Sequence, residues 1–250
     1  MIKHFMILSS SYSSGMRIAM HYVVDELVDA GMLVSEVKKI KELCGESVSI
    51  STHFVETDSQ EWSSVAVKDA FFEDVYKVES LSEFVELISK DRKLSGIDIA
   101  KYILSVRRCT HLGLEKLVYM CYADYLCKTG KRLFEDKIYA FRYGPVVETV
   151  YEKYKGCKDI EDETFSEEEI ESNWHELPAR SRILFAEDGV IKMLQIDYTL
   201  ERYKKSTASE LVDITHVKGG PWDSVYSRRY REVIPDEVIK QNHYKEVNFE

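Results

Sequence analysis

Leu114-Glu115-Lys116-Leu117-Val118-Tyr119-Met120-Cys121-Tyr122-Ala123-Asp124-Tyr125-Leu126 is the stretch that decides how the rest of the chain is read. Leu114, Leu117, Val118, Cys121, Tyr122, Tyr125 and Leu126 recur at the spacings of one face of an α-helix. So complete a stripe has to be buried, which places this helix at the core of its domain, with Gly130 as its stop. Before it, Ile97, Ala100, Ile103 and Leu104 mark another helix. After it, Leu133-Phe134 packs in a connection, and Gly144-Pro145 is expected to open a third helix bearing Val146, Val147, Val150, Tyr151 and Tyr154, because proline suits the first helical position. Residues 161–171 hold seven acids and no base and read as a solvated loop or surface face. Helical spacing returns over residues 190–203. A short helix over 208–214 follows, with Glu210 at capping-box distance from Thr207. A turn over 215–222 and a last helix over 235–244 complete the pattern.

Residues 1–92 read differently. An apolar run over residues 3–8 has the crowding of a buried strand. Residues 9–15 are all Ser, Tyr and Gly and read as a loop. Met16, Met20, Val23, Val24, Leu27 and Val28 then suggest an amphipathic helix capped at Gly31. Residues 47–55 and 71–78 look like strands, and Ser80 or Ser82 can cap a helix carrying Phe84, Val85 and Ile88. The pattern breaks at Lys90-Asp91-Arg92-Lys93, and after Ser95-Gly96 the periodicity stays helical. The chain is therefore expected to be α+β overall, with a small α/β domain over residues 1–92 and a mainly α-helical domain over 96–250.

Composition narrows the function. The 250 residues are 44% hydrophobic and 31% charged, a globular balance. Against 34 bases, 44 acids leave a net charge of -10, which disfavours generic nucleic-acid binding. The five cysteines form no CxxC pair, no metal spacing is present, and reduced thiols in a cytoplasmic protein are expected. Neither a signal peptide nor a membrane span is expected, because the apolar runs are too short.

Candidate chemistry is sparse. The loop Ser9, Ser10, Ser11, Tyr12, Ser13, Ser14 and Gly15, if it joins a strand to a helix N-terminus, could hold an anion on free backbone N–H groups, although it has neither GxGxxG nor the Walker lysine. His21 and Asp25 stand one helical turn apart. His216, before Gly219-Gly220-Pro221-Trp222, fits an imidazole that pins a turn. No nucleophile motif accompanies any of them, and no cofactor is implied.

Two ordered blocks carry a resemblance. Leu114-Glu115-Lys116-Leu117-Val118-Tyr119, Gly130, Leu133-Phe134, Ile138, Ala140 and Tyr143-Gly144-Pro145-Val146 form the first; Leu211, Thr215-His216, Pro221-Trp222 and Tyr226 form the second. Together they resemble the Panacea domain of SocA-like antitoxins, over about residues 96–245, with Phe141 where that family usually has tryptophan. The resemblance implies a mainly helical domain of bacterial or phage origin that neutralises a toxin encoded by an adjacent gene through direct binding, without catalysis. A protease or chaperone is a further partner, since one member group is linked to toxin delivery. Lys116, Tyr119, Tyr143, Gly144, Pro145, Thr215, His216, Pro221 and Trp222 occupy the motif positions and are the expected partner-binding or motif residues. The tyrosines at 119, 122, 125, 139, 143, 151 and 154 suit a protein interface. The net charge suits steering of a basic toxin. Two other readings stay open: a nucleotide-binding sensor or enzyme acting through residues 1–92, and an adaptor delivering a toxin to a protease.

Overall fold

In the computed structural model, which describes residues 1–12, 15–24, 30–46, 48–155, 176–227 and 231–248, the N-terminal apolar run forms strand β1 (Ile2–Ser11). It turns at Gly15, whose φ is +68°, and returns antiparallel as β2 (Met16–Val24). Helix α1 (Ala30–Cys44), strand β3 (Ser51–Thr57), helix α2 (Trp62–Lys68), strand β4 (Val75–Lys77) and helix α3 (Leu81–Arg92) follow. The sheet order is β3-β1-β2-β4, with β4 parallel to β2 and the other pairs antiparallel. Strand β1 is buried on both faces. Phe5 and Ile7 pack with Ile40, Phe84 and Ile88 of α1 and α3, while Met6 and Leu8 pack with Val65 and Phe72. These elements make one compact unit, Met1–Lys93, and Leu94–Glu250 makes a second.

Three expectations in the first unit are corrected. Residues 16–24 form a strand, not a helix. Met16, Met20, Val23 and Val24 fit helical spacing, yet Ile18, Met20, Tyr22 and Val24 also alternate, and pairing with β1 from Lys3↔Val24 to Ser11↔Met16 satisfies the backbone groups of both strands. Gly31 lies in the first turn of α1 rather than capping a preceding helix, while Leu27 and Val28 fall outside the described residues. Of residues 71–78 only Val75–Lys77 is strand, because Asp69 accepts a hydrogen bond from Phe71 N–H (2.9 Å) and starts a short 3-10 turn at Ala70–Phe72.

The second unit is built around one helix. Helix α4 (Gly96–Val106) opens with a reciprocal capping box between Ser95 and Asp98. Helix α5 (His111–Thr129) starts at a Thr110 cap and stops at Gly130 in the left-handed conformation, and every residue from Gly113 to Leu126 is buried. Strands β5 (Ile138–Phe141) and β6 (Gly144–Val147) then form a hairpin, followed by helices α6 (Glu148–Tyr154), α7 (Glu176–Leu184), α8 (Gly189–Arg202), α9 (Ala208–Thr215) and α10 (Pro221–Val225). Strand β7 (Glu232–Val233) completes a sheet of order β6-β5-β7, and helices α11 (Asp236–Asn242) and α12 (Tyr244–Val247) end the fold. Pro145 therefore sits in a strand and does not open a helix. It is tolerated because β6 is an edge strand, where a missing N–H breaks no ladder on its outer side. The acidic stretch 161–171 lies outside the described residues. Among those described, no helix is long and apolar enough to cross a membrane.

Helix α5 also buries Glu115, Lys116 and Asp124, and a segment more than a hundred residues away answers Asp124. His243 Nε2 donates to Asp124 Oδ1 (2.9 Å) and its Nδ1 donates to Glu246 Oε2 (2.6 Å). The Tyr119 hydroxyl donates to Glu246 (2.9 Å), and Thr199 donates to the other Asp124 oxygen (2.7 Å). Tyr122 donates to Asp236 (2.7 Å), so α11 and α12 are both tied to α5.

Two expected outcomes follow from this packing. Ser95→Ala removes the α4 cap and should cost about 1 kcal/mol in denaturant unfolding. Burial by itself would lower the His243 pKa, but the two carboxylates outweigh burial and raise it to about 9. A histidine raised above its unfolded value of about 6.5 stabilises fully below that pH and loses the contribution as pH climbs through its folded value. Lys116, lowered to about 7 by burial, pushes the other way above neutrality, so the useful quantity is a difference. The unfolding penalty of His243→Gln should be largest near pH 6 and shrink steadily toward pH 9.5, measured in parallel urea titrations. A penalty independent of pH would mean that His243 is neutral in the fold.

Candidate partner-binding site

The two motif blocks converge on the β5–β6 hairpin. Its strands are joined by Arg142 and Tyr143, with Phe141 paired to Gly144. Gly144 has φ of +109°, and a Cβ there would lie 2.9 Å from Lys116 Nζ and 3.0 Å from Thr215 Oγ1, so both conformation and space demand glycine. Groups from outside the hairpin hold its backbone. Lys116 Nζ donates to the Pro145 carbonyl (2.7 Å), Trp222 Nε1 donates to the Phe141 carbonyl (2.7 Å), and Glu115 accepts from Val147 N–H (3.3 Å). Lys116 is fully buried, and burial brings its ammonium down to about 7 against the pull of Glu115 and Glu246. Burial also raises Glu115, opposed chiefly by His111, whose Nε2 lies 3.5 Å away.

His216 closes the arrangement from α9. Its Nδ1 is 2.7 Å from the Val212 carbonyl and its Nε2 is 3.4 Å from the Arg142 carbonyl. Burial lowers its pKa against the opposing pull of the Val212 and Arg142 carbonyls. The ring packs on Trp222 with centroids 3.8 Å apart, and Trp222 stacks on Tyr226. Pro221 takes the first position of α10.

Most of the residues singled out from sequence are thus framework. Lys116, Gly144, Pro145, Thr215, Pro221 and Trp222 are buried around the hairpin with His216 beside them, and their polar atoms serve this chain. Tyr119 is also buried but joins the Glu246 network instead. What faces outward is a rim of rings and cations that spacing alone did not reveal. Arg142 lies over the Tyr143 ring (5.2 Å), Arg231 over Phe141 (4.4 Å) and Lys155 over Tyr151 (5.4 Å), and Phe141 meets Tyr151 at 5.3 Å. Phe141 is the centre of that rim. The three cations follow no common sequence period, because Arg142 lies in the hairpin turn, Lys155 follows α6 and Arg231 precedes β7.

In the first unit, the expected anion loop loses its basis. Ser9, Ser10 and Ser11 belong to β1, Ser9 donates to the Ser49 carbonyl (2.9 Å), and Tyr12 N–H donates to Asp91 (2.7 Å). Gly15 leads into a strand rather than a helix N-terminus, and Ser13 and Ser14 lie outside the described residues. His21 is likewise on a strand, and Asp25 is outside the described residues. The partner that His21 does have is His4, buried at 2.8 Å and itself bonded to Thr57, and burial first and His4 second lower the His21 pKa to about 4. A histidine inside an apolar run gave no sign of this. Among the described residues no group of three or more His, Cys, Asp or Glu is placed to hold a metal ion.

Gly144→Val should destabilise the second unit by about 1 to 3 kcal/mol, since it adds backbone strain and displaces Lys116 or Thr215. Thermal unfolding that matched the parent would mean the hairpin tip can relax at no cost.

The family described as antitoxin SocA-like, Panacea domain, matches residues 114–223, the span from α5 through the start of α10 that frames the hairpin. The chain is also similar to antitoxin SocA of Caulobacter vibrioides (strain NA1000 / CB15N), at 30% identity over 118 residues, which is 46% of this chain and 59% of that relative. No solved structure matches it. Residues 114–223 of this chain are thus similar to the Panacea domain of SocA-like antitoxins, and the chain spans less than two thirds of the length of the curated relative it matches.

Proposed function

We propose that this protein is the antitoxin of a toxin–antitoxin pair, neutralising the product of an adjacent gene by direct binding in the cytoplasm. The observation that supports the reading most is the match of residues 114–223 to an antitoxin family in a unit whose two motif blocks meet on one hairpin. Binding rather than catalysis is the proposed mode, because the polar motif groups are engaged by backbone carbonyls of this chain. The toxin is proposed to contact the outer rim of Phe141, Arg142, Tyr143 and Tyr151, where arginine and aromatic side chains supply the chemistry of interface hot spots. Arg231 and Lys155 of the rim are paired with Glu148 (3.5 Å) and Glu152, so its aromatic surface rather than a net positive charge is proposed to carry the contact. Residues 1–92 are proposed to contribute to partner choice, and residues 96–250 to form the toxin-binding domain.

Co-expression with the adjacent gene should restore growth that the gene product alone abolishes, and the two proteins should co-purify. Tyr143→Ala should then weaken binding by about 2 kcal/mol, roughly thirtyfold in Kd, with an unchanged Tm. Lys116→Met should lower Tm and binding together. Failure to rescue growth removes the antitoxin reading, whereas rescue with an unaffected Tyr143→Ala variant moves the interface away from the rim.

A further inference from the structure

Helix α8 carries apolar side chains on its outer face as well as its inner one. Val190, Ile191, Leu194 and Tyr198 are 62, 53, 66 and 57% exposed and follow helical spacing, so they line one side over about 12 Å. Leu184 and Phe185, the latter 70% exposed, adjoin that stripe at its start, where Gly189 sits against the carbonyls of Ile183 and Leu184. Together these six present roughly 600 Å² of apolar surface, the upper end of what a monomer exposes and most of one side of a standard interface of about 800 Å² per partner.

The charges around the stripe are arranged by end. Exposed Glu187 stands at its beginning, followed by half-buried Asp188, which is paired with Lys131 (2.6 Å). At its end, Arg202 and Lys128 lie 5.1 and 5.9 Å from the Tyr198 ring centroid. We infer that this stripe is the interface of a homodimer, in which α8 packs antiparallel on α8 of a second copy. Residues 187 and 202 are equally far from the midpoint near Leu194. A two-fold axis there sets Leu194 against the partner's Leu194, Val190 and Ile191 against the partner's Tyr198, and Glu187 against the partner's Arg202 and Lys128. The surface is thus complementary to itself in shape class and in charge, the requirement of an isologous interface. This inference does not rest on the antitoxin reading.

Sedimentation velocity on the full chain across the micromolar range is the test. The parent should show twice the 29.1 kDa chain mass, and Leu194→Glu, an exposed change expected to leave the circular dichroism spectrum intact, should return it to 29.1 kDa. Glu187→Lys should weaken the dimer by about tenfold, and adding Lys128→Glu should restore it. Leu194→Cys, which also covers the case of a misfolded Leu194→Glu variant, should form an intermolecular disulfide under mild oxidation that Val190→Cys does not. A parent that stays at 29.1 kDa overturns the inference, as does a dimer untouched by Leu194→Glu or a charge exchange that fails to restore. A monomer whose Leu194→Glu variant loses toxin binding would assign the stripe to the toxin and overturn it equally.

Discussion

The second unit depends on the burial of α5 on every side. A helix with one wet face can turn its charged residues to solvent, but Glu115, Lys116 and Asp124 have no such face, and an unpaired buried charge costs several kcal/mol. Each must be answered from within the chain, and the answers come from different places. Lys116 and Glu115 bind the hairpin, Asp124 takes Thr199 of α8 and His243, and Tyr119 reaches Glu246. The polar residues of a single helix therefore state which segments surround it, a specification that apolar packing alone would leave degenerate.

Strand β1 imposes a similar constraint on the first unit. With apolar residues on both faces it must be covered twice, by α1 and α3 on one side and by α2 with the 3-10 turn on the other. Its fully buried histidine, His4, is satisfied by Thr57 of β3 and His21 of β2, its two neighbours in the sheet.

Legibility followed locality. The α9 capping box, the Gly130 stop of α5 and the last helix were readable because each is written within a few residues. Residues 16–24 and 144–147 were misread because helical and strand spacing both fit a short apolar run, and the deciding fact is a partner strand. At the candidate site, the order of the motif residues identified the framework, and Gly144 and Pro145 announced a backbone irregularity without saying that it was a hairpin. The rim was invisible because Arg142, Arg231 and the helical pair Tyr151 and Lys155 come from separate segments that meet only in the fold. The Asp124–His243–Glu246 cluster was hidden for the same reason, since its members meet only after the chain has closed.

That cluster has a temporal consequence. During synthesis Asp124 emerges from the ribosome 119 residues ahead of the imidazole that neutralises it, and chains grow at about 5 to 20 residues per second. For several seconds the central helix exists with a carboxylate, a tyrosine and an apolar surface all awaiting partners, while the first unit is already complete. A nascent or interrupted chain cannot hold a native second unit, and this interval is when a folding chaperone would find it exposed.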